Sequence, residues 1–266
     1  MIESRLGGDI YNEPAIINEF LHGSGDMHSL VAKACFPIEL KDIEVKDIKK
    51  LRPDLRQRAK GPEFAMQFGG SPRAIQQALG CSLEEAETIA AAYWKGFPGV
   101  AEFKAYGSKE VRSKGYVLMC KKTGHKMFWW DFDKWCERQK SFTQEFWEEY
   151  RTIHKPNKDS VYLEVKEHFQ AVSKWDRMAL NAPTQGSGAV IIKQACIDLF
   201  KWVIDNGYFG KVLFCVLVHD EINVEYPKEL ESFPTILSSI MEKAAAIYCE
   251  SMPIPAVPEV GDHWIH

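Results

Sequence analysis

An α+β fold is predicted for this chain of 266 residues, on three observations. Long stretches carry apolar residues at helical spacing, bounded by caps and breakers. Residues 211–226, Lys-Val-Leu-Phe-Cys-Val-Leu-Val-His-Asp-Glu-Ile-Asn-Val-Glu-Tyr, form two β-rich runs around a very short connection, the pattern of an antiparallel hairpin. A hydrophobic content of 45% is ample for a core, and no repeat, linker or long biased tract interrupts the 26% of charged residues.

The elements follow in chain order. Residues 12–35 read as helical: Asn12 caps a run containing Ile16, Ile17 and Phe20, and Gly23 to Gly25 interrupt it. A second helix starts near Met27 and presents His28 at its N-terminal end, which attracts anions. Arg56, Lys60, Phe64 and Phe68 recur every fourth residue. Gly61-Pro62 falls inside that stretch, so either the helix kinks there or Pro62 starts it and Arg56 and Lys60 occupy a preceding turn. Ser82 and Glu85 form a capping box for a helix to about Gly96. Phe97-Pro98-Gly99 breaks it, and a further helix stops at Gly115. Residues 116–128 read as a short hairpin around Thr123-Gly124.

Residues 129–175 are rich in aromatics, including Trp129, Trp130, Trp135, Trp147 and Trp175. Packing against helices is the favoured reading of these rings over stacking on a nucleic-acid strand. His154 to Lys158 reads as an exposed loop. From Val172 a helix carries Arg177 and Asn181, a turn spans Pro183 to Gly186, and a long helix runs on to Asn206-Gly207. The 211–226 hairpin comes next, then a last helix from about Glu229 to Cys249.

Composition narrows the function classes. No run approaches the 18 or so apolar residues of a membrane span. The start, Met-Ile-Glu-Ser-Arg-Leu-Gly-Gly, has no apolar h-region, so a signal peptide is not expected. Seven cysteines are scattered without a Cys-x-x-Cys pair, which fits reduced thiols and a cytoplasmic location. The net charge of −4 does not advertise nucleic-acid binding, although a local basic track suffices for it. Lys46, Lys49, Lys50, Arg52, Arg56, Arg58 and Lys60 supply such a cluster; for Lys46 to Arg52 a solvated helix face is the simpler reading.

Two patterns carry chemistry. On a helix each step of four rises about 6 Å and turns about 40°, so Arg56, Lys60, Phe64 and Phe68 form one slowly winding stripe. Two cations followed by two rings suit a nucleoside triphosphate: the cations meet phosphate oxygens and the rings lie against sugar and base. The competing reading is a solvated basic turn followed by two core aromatics. The hairpin places His219, Asp220 and Glu221 at the tip of a mostly apolar sheet, where isolated carboxylates are costly unless paired or metal-bound. An ordinary polar turn is the alternative.

These segments, with Arg177-Met-Ala-Leu-Asn181-Ala-Pro-Thr-Gln185-Gly186 between them, resemble family A DNA polymerases in this order. The stripe is similar to that family's Arg-x3-Lys-x3-Phe-x3-Tyr-Gly fingers helix, the hairpin to its Val-His-Asp-Glu palm motif, and Asn181 to Gln185 to its Asn-x-Pro-x-Gln-Gly segment. Ile2-Glu3-Ser4-Arg5 resembles the tail of its first palm motif, Asp26-Met27-His28 its Asp-Ile-His element, and Gly261-Asp262-His263-Trp264 its usual C-terminus. Two departures stand out. Phe68 replaces the usual Tyr. The family's first metal-binding Asp, five residues before the position of Glu3, would precede Met1, so the chain is expected to begin just after one catalytic ligand.

The resemblance implies a mainly helical fingers subdomain inserted into a palm with an antiparallel sheet. Residues 1–30 would be the start of palm and fingers, 31–171 the fingers and 172–266 the palm. It implies template-directed transfer of a nucleotide from a dNTP to a primer 3′-hydroxyl, with two Mg2+ ions at the complete site. Asp220 is the implied metal ligand, and Glu221 a weaker candidate. Arg56, Lys60 and His28 would hold phosphates, with Lys60 also protonating the leaving pyrophosphate. Glu3 would exclude ribonucleotides at the sugar 2′ position, Phe64 would flank the sugar, and Phe68 and Gly69 would sit at the templating base. Arg177, Asn181, Gln185 and His219 would contact the primer–template terminus. Nothing resembles the family's exonuclease or thumb. The implied partners are primer–template DNA, dNTP and an upstream polypeptide supplying the thumb and the first palm Asp. The alternative from another class is a catalytically incomplete nucleotide- or DNA-binding fragment from a split or internally started gene. A metal-dependent phosphohydrolase using Asp220 is a distant third.

Overall fold

The computed structural model describes residues 2–67 and 69–263. Helices dominate, and the described residues add two separate antiparallel hairpins, so the class is α+β. The expected roles of Phe68 and Trp264 lie outside the described residues.

Helix α1 (Ile2–Ile10) leads into α2 (Pro14–His22). Glu13 caps α2 in place of Asn12: its carboxylate accepts from the Ala15 N–H at 3.1 Å. The same carboxylate accepts from the N–H groups of Gly99, at 2.8 Å, and Val100, at 3.4 Å. Those two amides open a helix far along the chain, so the long-range partner outweighs the local preference for Asn at a cap. Asn12 sits beside the cap with left-handed backbone at φ 49°. Glu13→Ala would leave three amides without their acceptor in a buried position. It is expected to cost about 2–4 kcal/mol by urea unfolding. A loss under about 1 kcal/mol would mean that water replaces the carboxylate.

Five helices follow: α3 (Met27–Cys35), α4 (Val45–Leu51), α5 (Pro53–Gln67), α6 (Pro72–Leu79) and α7 (Leu83–Gly96). They close on a core containing Leu40, Ile48, Ala59, Met66, Ile75 and Phe97. Helix α5 runs through Gly61-Pro62 without a break, which decides between the two sequence readings: Arg56, Lys60 and Phe64 share one helix. Half of the capping box is present: the Glu85 N–H donates to Ser82 Oγ at 3.1 Å, while the Glu85 carboxylate accepts from Arg58. Helix α8 (Pro98–Lys114) ends at Gly115 in the left-handed conformation, φ 69°.

Strands β1 (Tyr116–Cys120) and β2 (His125–Phe128) pair antiparallel, Tyr116 opposite Phe128. After them come α9 (Phe132–Ser141) and α10 (Gln144–Glu149). Trp129, Trp135 and Trp175 bury their rings together, Trp129 and Trp175 stacking at 5.4 Å, so packing accounts for them. Trp130 is exposed. Residues 154–157 are helical where a loop was expected, and Lys158 ends them as a turn residue with left-handed backbone at φ 51°. A π-turn at Tyr150–His154 continues into α11 (Lys155–Asn157), and His154 Nδ1 lies 2.7 Å from Asp159 Oδ2. That side-chain pair supplies an order that the polar composition does not advertise.

Helix α12 (Ser160–Asp205) is a single element of 46 residues, without the turn expected at Pro183 to Gly186. Proline removes one ladder hydrogen bond, which a helix tolerates when tertiary contacts hold it. Here the Tyr11 hydroxyl donates to the Leu180 carbonyl at 3.0 Å and meets Thr184 Oγ1 at 2.8 Å. Gly186 serves packing: a Cβ there would lie 2.4 Å from the Met119 carbonyl oxygen of β1. Strands β3 (Leu213–Val218) and β4 (Glu221–Glu225) form the expected hairpin, joined by His219 and Asp220. The last helix, α13 (Phe233–Tyr248), starts later than expected, because residues 227–232 turn through Leu230 N–H to Pro227 carbonyl and Phe233 N–H to Leu230 carbonyl bonds, both 2.9 Å. Among the described residues no helix is long and apolar enough to cross a membrane.

Candidate active site

Three groups of candidate residues emerge, all positioned by long helices and one turn. The first joins α3 to α5. Arg56 forks onto Asp26, Nε to Oδ2 at 2.7 Å and Nη2 to Oδ1 at 2.9 Å. Asp26 also caps α3, accepting from the Ser29 hydroxyl at 2.9 Å and the Ser29 N–H at 3.3 Å. Burial alone would raise its pKa, but the bonds from Arg56 and Ser29 outweigh that and bring it to about 2. Next to this pair, His28 Nδ1 lies 2.5 Å from Glu63 Oε2. Glu63 is only 6% exposed, and burial pushes its carboxyl up against the opposing pull of His28. Lys60, half-buried, has no ion pair among the described residues. Phe64 is 55% exposed, so it is not the core ring of the competing reading.

The second group joins α1 to α12. Gln185 Nε2 donates to Glu3 Oε1 at 2.6 Å. Asn181 and exposed Arg177 lie one and two turns earlier on the same helix. Gly69, at φ 67°, brings the end of the stripe to this helix: a Cβ on it would stand 3.3 Å from Arg177 Cγ. The left-handed backbone and that close approach both favour glycine.

The third group is the tip of the β3–β4 hairpin. Val218 pairs with Glu221, leaving His219 and Asp220 as a two-residue connection, with His219 left-handed at φ 50°. His219, Asp220 and Glu221 are all exposed. The desolvation cost expected for carboxylates at an apolar tip is therefore not incurred, because the tip stands in solvent. Asp220 and Glu221 border a cleft of about 770 Å³ shared with Arg5, Ser24, Gly25 and Ile192, and residues 254–263 form part of its wall. Ser24 and Gly25 precede Asp26 in sequence, and Arg5 follows Glu3 by two residues on α1, so the cleft touches the segments that carry the other two groups, while Glu3, Gln185, Asp26, His28, Arg56 and Lys60 do not line it.

Mg2+ takes oxygen ligands and commonly only one or two protein carboxylates beside substrate phosphates. Asp220 and Glu221 offer such oxygens, while no cluster of three His, Cys, Asp or Glu side chains is present among the described residues. Sequence reasoning missed the two acids that engage the candidate phosphate ligands. Asp26 carries a local signal, an Asp directly before a helix. Glu63 carries none, since its partner lies 35 residues away.

A family model described as DNA polymerase family A matches residues 1–266. DNA polymerase I of Streptococcus pneumoniae is 28% identical over 264 residues, 99% of this chain and 25% of that protein. The DNA polymerases I of Bacillus caldotenax and Geobacillus stearothermophilus are each 26% identical over 264 residues, again 99% of this chain and 25% of the relative. The chain thus spans about a quarter of the length of these curated relatives. A solved structure described as the POL domain of Pol1 from M. smegmatis in complex with DNA primer-template and dNTP aligns with a TM-score of 0.69 at 25% identity, covering 95% of this chain and 36% of that one.

Proposed function

This chain belongs to DNA polymerase family A, and on that premise we propose that it carries the nucleotidyl-transfer centre of a DNA polymerase. Residues 31–171 act as fingers and 172–266 as palm, with 1–30 joining them. The observation that supports this reading is the cleft bordered by Asp220 and Glu221 at the hairpin tip, whose other lining residues Arg5, Ser24 and Gly25 are near neighbours in sequence of Glu3 and Asp26.

In this reading the primer 3′-hydroxyl attacks the α-phosphorus of a dNTP and pyrophosphate leaves. Asp220, with Glu221 as second candidate, would hold Mg2+, which when bound supplies charge stabilisation at the attacking and leaving oxygens. Arg56, Lys60 and His28 bind the phosphates, and Lys60 delivers a proton to the leaving pyrophosphate. Phe64 lies along the sugar, and Glu3, held by Gln185, closes the space beside its 2′ carbon. Gly69 sits at the templating base. Arg177, Asn181, Gln185 and His219 hold the terminal base pair from the minor groove, where Watson–Crick pairs display similar acceptors.

A polypeptide carrying a thumb and a further carboxylate is the partner that this reading implies. The apolar surface of β3 supports such a partner: Leu213, Phe214, Val216 and Leu217 are all more than a third exposed, a sheet edge suited to another strand. A second reading, nucleotide or DNA binding without catalysis, is favoured by one observation: carboxylates already engage both Arg56 and His28.

Primer extension with magnesium separates the two, run with the chain alone and with a polypeptide carrying thumb and strand. Templated extension in the second arm is expected, and its absence in both arms would leave the binding reading. In the active arm, Glu3→Ala should raise ribonucleotide use, and Phe64→Tyr should improve dideoxynucleotide use, a phenol replacing the missing 3′-hydroxyl. Unchanged sugar selectivity in both variants would refute these placements.

A further inference from the structure

We propose that Glu63, on α5, is a positioning residue whose hold on His28 makes triphosphate binding take up one proton; this rests on the function proposed above, in which His28 holds a phosphate. His28 is the second residue of α3, at the helix end that attracts anions. Its Nδ1 lies 2.5 Å from Glu63 Oε2. Glu63 is buried while the His28 side chain stays 26% exposed, so the acid holds the ring from the protein side. His28 makes no other hydrogen bond among the described residues, which leaves Nε2, across the ring from Nδ1, for a ligand.

What Nε2 can do depends on the protons of the pair. A bare Nδ1 facing a carboxylate at this distance would bring two lone pairs together. With a single proton, that proton therefore sits between Nδ1 and the carboxylate. The pair then carries one negative charge and Nε2 is only an acceptor, a form that repels a phosphate. With two protons the pair is neutral, and Nε2–H donates to a phosphate oxygen. The count holds whether the inner proton rests on Nδ1 or on the carboxyl, because the two groups titrate as a unit. A triphosphate selects the two-proton form. When it meets the one-proton form, the pair draws a proton from solvent, and no bond of the nucleotide changes.

The groups around the pair belong to α3, α5 and α7. Burial would raise Asp26, but the bonds from Arg56 and Ser29 outweigh it and leave that carboxyl at about 2; the bond from Asp26 in turn raises the Arg56 guanidinium. Burial pushes the Cys35 thiol up to about 12 and raises the Tyr93 phenol. None of these four changes charge between about pH 5 and 8, the range of imidazole chemistry. Lys60, one turn before Glu63 on α5, is common to every variant compared below.

Calorimetric titration of the full chain with a dNTP and magnesium tests this, in buffers of different ionisation enthalpy between about pH 6.5 and 8.5. The γ-phosphate carries a proton of its own near the bottom of that range, at a pKa of about 6, and contributes equally to every variant. At the upper end wild type should take up about one proton per dNTP beyond that background, with affinity falling toward about tenfold per pH unit. Glu63→Gln keeps the size of the side chain, and its amide can donate to Nδ1, which lets a neutral imidazole keep Nε2–H. This variant should bind dNTP without the extra proton and with a flatter pH profile, weaker than wild type at the lower end and tighter at the upper. His28→Gln should also lack the extra proton and bind more weakly than wild type at the lower end. No extra proton in wild type, equal uptake in wild type and Glu63→Gln, uptake retained in His28→Gln, or a uniform loss of affinity in Glu63→Gln with the wild-type pH profile would each overturn the proposal while leaving the polymerase reading intact. Failure of wild type to bind any dNTP would overturn that reading as well.

Discussion

Asp220→Asn is expected to reduce nucleotide incorporation by about a thousandfold or more while leaving affinity for primer–template nearly unchanged. A metal held at the reacting oxygens is worth several kcal/mol of transition-state stabilisation, and each 1.36 kcal/mol is about tenfold in rate. The substitution keeps shape and removes charge, and Asn is at home in a turn. Asp220 is exposed at a two-residue connection, so loss of turnover would not trace to unfolding. Single-turnover extension gives the rate and anisotropy gives the DNA affinity, both in the assembly that extends a primer. Turnover near wild type would remove Asp220 from the metal site and leave it an ordinary turn residue. Comparable losses in rate and DNA affinity would point instead to a role in holding the duplex.

What was legible in the sequence divides by the range of the forces involved. The Ser82–Glu85 cap, the Gly115 stop and both hairpins were readable because each is decided within a few residues. The course of α12 was not. Pro183 and Gly186 are local breakers, and the contacts that carry the helix through them come from Tyr11 and β1, far away in sequence. Asn12 lost its cap role to Glu13 for the same reason, since the amides of Gly99 and Val100 reward a longer side chain. In the candidate site, the spacing of Arg56, Lys60 and Phe64 was visible and α5 carries all three. The engagement of Arg56 by Asp26 and of His28 by Glu63 was not, because those pairs span 30 and 35 residues. The hairpin tip shows the opposite error. The apolar flanking sequence implies a cost for these carboxylates, while the tip itself lies in solvent.

The Arg56–Asp26 fork sets up the second prediction, in which two substitutions act with opposite sign. Arg56→Ala should weaken dNTP binding by about one to two decades, since a charge-assisted phosphate contact is worth roughly 1.5–3 kcal/mol. Asp26→Asn should tighten it, by up to about tenfold, because a triphosphate must otherwise displace a carboxylate already seated in the guanidinium fork. Asn retains the capping ability that α3 requires, so the helix start is preserved. The same pair has a stability signature. The Asp26 carboxyl is depressed to about 2 in the folded chain, so its contribution is present above the ordinary Asp pKa near 3.9 and is lost as pH falls from there through about 2. Unfolding monitored across that acid range should show the loss in wild type and a flatter profile in Asp26→Asn. Weaker dNTP binding in both variants would mean that Asp26 orients Arg56 and does not compete for it. A fall in DNA affinity with a shallower salt slope in Arg56→Ala, and no change toward dNTP, would make the cationic end of α5 a backbone track and remove it from the nucleotide site.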